Sequence, residues 1–202
     1  MILKGFSFGM ILQAAVGPVC IFVITTALTS GFWTAFSAVL AVTLVDALFV
    51  TLAILGIGAL MKSNRAKKIL KFFGGFVIIY YGIAIFLSAF NISILPSFGN
   101  SDISPTGTNA FLTAAIMTIS NPLTIVFWTG VLGTRVSDSH DSRRNTILFG
   151  MGAVLSTITF LTAVAFIFSL FNPMMTPNAT LWLNAISGTA LIVFGIYMLT
   201  KK

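Results

Sequence analysis

Six apolar stretches, each long enough to cross a bilayer, take up most of this 202-residue chain. A helix crossing about 30 Å of hydrocarbon needs roughly 20 predominantly apolar residues. Residues 6–29, 32–60, 69–90, 110–133, 146–171 and 181–199 meet that length. The second is long for a crossing, which tilt, a kink or extension beyond the bilayer accommodates. Polar breaks separate the stretches: Ser30-Gly31, a basic run at 62–71, and the segments 91–109, 135–145 and 172–180. Ser30-Gly31 is the shortest break, so a re-entrant hairpin there is the main rival topology. Charged residues make up 7% of the chain, against about 25% in a soluble domain, so there is too little polar material for an ordinary water-facing surface. The expected fold is an all-α integral membrane protein of six transmembrane helices, forming one domain over residues 1–202. The first stretch exceeds the roughly 7–15 residues of a signal-peptide core and is expected to stay attached as the first span.

Charge tests the span count. Six spans put the N-terminus, the second and fourth loops and the C-terminus on one side. That side holds Lys4, then Lys62, Arg65, Lys67, Lys68 and Lys71, then Arg135, Arg143 and Arg144, then Lys201 and Lys202, which are all 11 basic residues. The opposite side carries Asp102 and no base. The positive-inside rule then places both termini in the cytoplasm, with the chain multi-pass in the cytoplasmic membrane of a prokaryote. The net charge of +7 could suggest nucleic acid, but bases clustered between long apolar runs set topology instead. The 62–71 cluster is read as a topology determinant that touches anionic lipid.

The chain also repeats itself. A shift of 104 residues lays Gly17-Pro18 on Asn121-Pro122, Ile21 on Ile125, Thr25 on Thr129 and Leu28 on Leu132. A shift of 113 lays Leu70 on Leu183, Gly75 on Gly188 and Gly82-Ile83 on Gly195-Ile196. The halves are therefore residues 1–90 and 110–202, joined by an external loop at 91–109. Three spans per half is an odd number, so the halves insert in opposite orientations. Inverted repeats of this kind are common in secondary transporters, with the binding site at the midplane.

Three features fall near mid-membrane: Gly17-Pro18 in the first stretch, Asn121-Pro122 at the same place in the fourth, and Asp46 in the second. Proline inside a helix removes a backbone donor and clashes with the carbonyl four residues earlier. The carbonyls freed here would be those of Ala14 and Thr118, and in lipid they need a partner or a wet cavity. Against that stands the plain reading of a kink that only shapes packing. Asp46 is the one acid or base in the interior of a stretch, Lys71 standing at the edge of the third, and a carboxylate at that depth costs about 2.5–3.5 kcal/mol or more. It can exchange a proton or pair with a substrate ammonium; the competing role is a protonated packing bond to a neighbouring helix. Thr43, one turn earlier, shares its face. Asn121 both donates and accepts, which suits a zwitterion. Gln13, one turn before Gly17, is a further candidate. Trp128, Tyr80 and Tyr81 can line a pathway, but read first as packing or interfacial anchors. Gly74-Gly75 and Gly188 read as close helix contacts.

The same residues set limits. Cys20 is the single cysteine and His140 the single histidine, so thiol redox pairs and thiolate or histidine metal sites lack their minimum ligands. No cofactor, no resident metal and no nucleophile–base pair is expected. Glycine-rich faces permit a homodimer.

The motifs AAVGPV at 14–19, LVDAL at 44–48 and ISNPLT at 119–124, in this order and spacing, resemble the LysE/RhtB family of amino-acid exporters over essentially the whole chain. The resemblance implies export of amino acids or related metabolites, driven by proton antiport, with Asp46, Gly17-Pro18 and Asn121-Pro122 as functional positions. One departure is Leu123, where many members carry Lys directly after Asn-Pro; a mechanism needing a cation there is not implied. Rival readings are a divalent-cation effluxer of the same superfamily and a non-transporting membrane scaffold.

Overall fold

The structure, a computed structural model, describes residues 1–13, 17–55, 64–90, 107–121, 124, 128 and 143–200. The expected basic loop at 62–71 and external loop at 91–109 fall largely outside these residues or their described side chains, as do 56–60 and 129–142. The described residues form six α-helices and no strand: α1 (Ile2–Gln13), α2 (Pro18–Ile54), α3 (Asn64–Ser88), α4 (Gly107–Ile119), α5 (Arg143–Ser169) and α6 (Pro177–Thr200), with a 3₁₀ turn at Asn172–Met174 between the last two. α2, α5 and α6 are each long and apolar enough to cross a membrane. Pro177 opens α6 and Pro18 opens α2, the helix position where a missing N–H costs nothing.

The first expected span is two helices, α1 and the first limb of α2, and begins at Ile2 rather than residue 6. The reason lies at residue 17, which is extended (φ −104°, ψ 178°) and caps the new helix. The expected break at Ser30-Gly31 takes an unusual form. Hydrogen bonding carries α2 across it, but Gly31 has φ +79° and ψ −179°, a conformation open essentially to glycine alone. Contacts on either side show what the corner does. Gln13 meets Thr157 and Leu28 meets Asn172, so the chain up to the corner runs parallel to α5. Beyond it, Phe32 packs edge-on against Phe166 at 6.1 Å, Asp46 reaches Thr157, and Val50 faces Gly150, so residues 32–54 return antiparallel. Asn172 Nδ2 donates to the Leu28 carbonyl (2.7 Å) and clasps the corner from outside. Gly31→Ala is expected to destabilise the fold by about 1–3 kcal/mol through backbone strain alone, since nothing nearer than 3.9 Å would meet the new methyl. Thermal unfolding in detergent checks this.

Small residues then let the helices close. Val23, Ala27, Ala35, Ala38 and Val39 of α2 meet Ala110 and Ala114 of α4, Leu161 and Ala165 of α5, and Ile78 and Leu191 in one buried cluster. α4 starts beside the second limb of α2, where Ser37 Oγ donates to the Gly107 carbonyl (2.6 Å). α3 and α6 form an antiparallel pair through glycines. A methyl on Gly82 would lie 2.9 Å from the Ile192 backbone N, one on Gly188 2.7 Å from the Gly82 carbonyl, and one on Gly195 2.6 Å from the Ile79 side chain. With no hydrophobic drive between helices in lipid, such backbone approach is what gives packing its strength. Large apolar side chains cover the outside, among them Phe73, Phe76, Trp182 and Ile186.

Candidate functional site

Asp46 lies on the second limb of α2, one turn past Val42 and next to Val45, both buried. That face turns toward α5, so the carboxyl group is carried inward and left only 4% exposed. Each oxygen has a donor. Trp128 Nε1 donates to Oδ1 (3.2 Å) and Thr157 Oγ1 donates to Oδ2 (3.0 Å). Thr157 in turn accepts from Gln13 Nε2 at 2.7 Å. Four side chains from α1, α2, α5 and the segment after α4 thus form one chain of hydrogen bonds. A buried polar network is stabilising when its members are satisfied. Among the described residues the donors to Asp46 are neutral, with no basic group beside it. The indole of Trp128, 2% exposed, packs in a second apolar cluster with Val50, Ala53, Phe149 and Ala153.

The break in the first span lies directly beside this network. Gln13 is the last residue of α1, and Gly17 and Pro18 follow four and five residues later. Residues 14–16 lie outside the described residues. Gly17 is half-buried, and among the described residues no atom comes within 4 Å of where its side chain would point. Pro18 is buried at the start of its helix instead of clashing within one. In the fourth span α4 ends at Ile119, and Asn121 is buried and non-helical just beyond it. The Thr118 carbonyl, expected to be freed there, receives the Asn121 backbone N–H at 3.2 Å. Beside it, Ser120 Oγ is buried and has no hydrogen-bond partner among the described residues. Pro122, the remaining half of that motif, lies outside the described residues.

The structure therefore brings Gln13 and Asp46 together through Thr157, and Gly17 and Pro18 follow Gln13 closely in the chain. Thr43 is separate: it is half-buried, and its hydroxyl donates to the Val39 carbonyl (2.8 Å). Tyr80 is exposed and Tyr81 buried, with a hydrogen bond to Thr113. Thr157, the residue that joins the network, is not singled out by the sequence, and Trp128, which reads there as packing, an interfacial anchor or pathway lining, holds the carboxyl group.

Comparison with known proteins gives the family. The family model for LysE type translocators matches residues 10–202. The chain belongs to the LysE type translocator family. Translocators of this family are transporters and not enzymes, and with its long apolar helices the chain is a multi-pass membrane protein. It is similar to a Bacillus subtilis (strain 168) protein named "Putative amino acid efflux protein YcgF", at 26% identity over 191 residues, covering 94% of this chain and 90% of that one. No solved structure matches the chain.

The candidate site carries its own optical reporter. The chain has three tryptophans, of which Trp33 and Trp182 are exposed and Trp128 touches the carboxyl group. In a Trp33→Phe/Trp182→Phe background, Trp128 emission is expected to change with pH as charge is gained and lost beside its N–H. The same titration in Asp46→Asn should be flat.

Proposed function

We propose that this translocator exports amino acids or related small polar metabolites across the cytoplasmic membrane in exchange for protons, with Asp46 as the proton-carrying group. The observation that carries this reading is the buried carboxyl group whose two donors come from elsewhere in the chain and whose network ends at the break in the first span. A buried acid of this kind is costly in lipid and marks a solute or proton path by default. With only neutral donors beside it among the described residues, the ionised group offers a negative charge to a substrate ammonium or to a proton.

The reading includes six spans in two inverted halves with both termini in the cytoplasm. Support comes from the repeat. Gly75 and Gly82, which a shift of 113 lays on Gly188 and Gly195, pack against those same two residues in an antiparallel pair. A two-fold axis in the membrane plane between the halves would produce this pairing. The broken first and fourth spans are related by the other shift, so each half supplies Gly17-Pro18 or Asn121-Pro122 to the midplane, where alternating access works by rocking one half against the other. Membrane lipid surrounds the exposed apolar faces, and a homodimer is compatible with them.

The test is efflux from proteoliposomes loaded with a panel of labelled amino acids, with and without an imposed pH gradient. Gradient-dependent efflux of one class supports the proposal and names the substrate. Efflux of divalent cations in place of every amino acid would favour the other branch of the superfamily, and no efflux of either would favour a scaffold.

A further inference from the structure

Helical threonines in lipid ordinarily turn the hydroxyl back onto the carbonyl four residues earlier. Thr43, Thr51, Thr118 and Thr159 all do so here. Thr157 differs. It is fully buried, yet it donates across to Asp46 Oδ2 at 3.0 Å, while the Ala153 carbonyl four residues back takes the hydroxyl of Ser156 at 2.6 Å. Its oxygen also accepts Gln13 Nε2 at 2.7 Å. A hydroxyl has one proton and two lone pairs, so its proton serves one acceptor at a time.

We infer that Thr157 is a positioning residue that passes the ionisation state of Asp46 to the end of α1. This rests on the reading that Asp46 carries the proton. Ionised Asp46 requires the Thr157 proton, and that charge-assisted bond polarises the hydroxyl oxygen and strengthens its hold on Gln13. When a proton arrives on Oδ2, that oxygen becomes a donor toward Thr157 Oγ1. The Thr157 proton stays on its own oxygen and turns back toward the Ala153 carbonyl, where it competes with the Ser156 hydroxyl for the acceptor. Gln13 then shares the hydroxyl oxygen with a competing donor, and its bond weakens. The other ionisable groups on the elements packed here are Lys4 on α1, Cys20 on α2, and Arg143 and Arg144 on α5. Lys4 and Arg144 are exposed near their helix starts, and Cys20 is buried in the larger apolar cluster, so the hydrogen-bonded chain through Thr157 is the described route from Asp46 to α1.

The experiment titrates Trp128 emission in the Trp33→Phe/Trp182→Phe protein, and measures efflux of a mixture of labelled amino acids from proteoliposomes, for Thr157→Val, Thr157→Ser, Asp46→Asn and the Asp46→Asn/Thr157→Val pair. Thr157→Val is expected to move the pH midpoint of Trp128 emission and to cut gradient-driven efflux about tenfold, the scale of one lost hydrogen bond to a charged group. Thr157→Ser should restore both, and Thr157→Val should add nothing in the Asp46→Asn background. An unchanged midpoint in Thr157→Val overturns the inference. So does an efflux loss of the same size with and without Asp46, which would make Thr157 a packing residue. Should Thr157→Val not fold, Gln13→Leu reads the same chain from its far end, and an unmoved midpoint there overturns the inference equally. The absence of any Asp46-dependent titration would instead strike the reading of Asp46 itself.

Discussion

Proteoliposomes carrying Asp46→Asn are expected to lose gradient-driven efflux entirely while the protein itself folds at least as well as the wild type. The two halves of this expectation have one cause. A carboxyl group at the bilayer centre costs about 2.5–3.5 kcal/mol on insertion scales, and the protein offsets that with two donors, Trp128 and Thr157. Asparagine removes the ionisable group and keeps the contacts. Its carbonyl accepts from the indole, and its amide donates to a Thr157 hydroxyl that can turn to accept. The variant should therefore show an equal or higher melting temperature. What it lacks is any means of taking up and releasing a proton, so its efflux should follow the substrate gradient alone and ignore external pH. Full pH-dependent efflux by Asp46→Asn would remove the coupling role. A function lost together with a gain in stability is the usual signature of a group kept for its chemistry.

The second large effect is structural. Gly188→Leu should prevent α3 and α6 from closing. Even a methyl at this position would lie 2.5 Å from the Phe86 backbone N and 2.7 Å from the Gly82 carbonyl, and backbone atoms cannot rotate out of the way as a side chain can. Overpacking a well-filled contact costs about 1–3 kcal/mol and sometimes more, and a leucine adds several atoms to the clash. Loss of monodisperse protein in detergent is the expected result, with Thr189→Leu, one residue along and exposed, behaving as wild type. Gly82→Leu should match Gly188→Leu, because the two residues face each other. A Gly82→Ala/Gly188→Ala pair should cost less than the two single changes added together, since the first substitution already parts the helices.

Much of this architecture can be read from residue order alone, and the parts that cannot share a physical reason. Apolar length marks the helices because lipid leaves the backbone few alternatives. Ser30-Gly31 marks a corner because glycine alone tolerates the backbone conformation there. Asp46 is legible because its cost in lipid is a property of the side chain and not of its neighbours. Thr157 is illegible for the opposite reason. A threonine in an apolar helix looks like any other, and its role depends on partners 111 and 144 residues away in the chain. Trp128 has the same problem, since an indole beside lipid and one beside a carboxylate look alike in sequence. Thr43 shows the converse. Its spacing from Asp46 suggests support, but its hydroxyl returns to its own backbone, the nearest acceptor a helix supplies. Pro18 stands at a break, as the Gly-Pro pair suggests, but it begins the next helix and does not kink a continuous one, because Gly17 takes the extended conformation just ahead of it.

The parallel pairing of the chain's first thirty residues with α5 has a consequence for biosynthesis. Gln13 and Leu28 find their partners 144 residues later in the chain, so the first span must wait for the fifth to be made. At about 5–20 residues per second, a ribosome needs roughly seven to thirty seconds to cover that distance. Throughout that interval the first span sits in the membrane with its glutamine amide unmatched and the Leu28 carbonyl without the asparagine that will clasp it. The hairpin is thus born incomplete, and the late arrival of α5 both closes its corner and ties the Asp46 carboxyl group to the break.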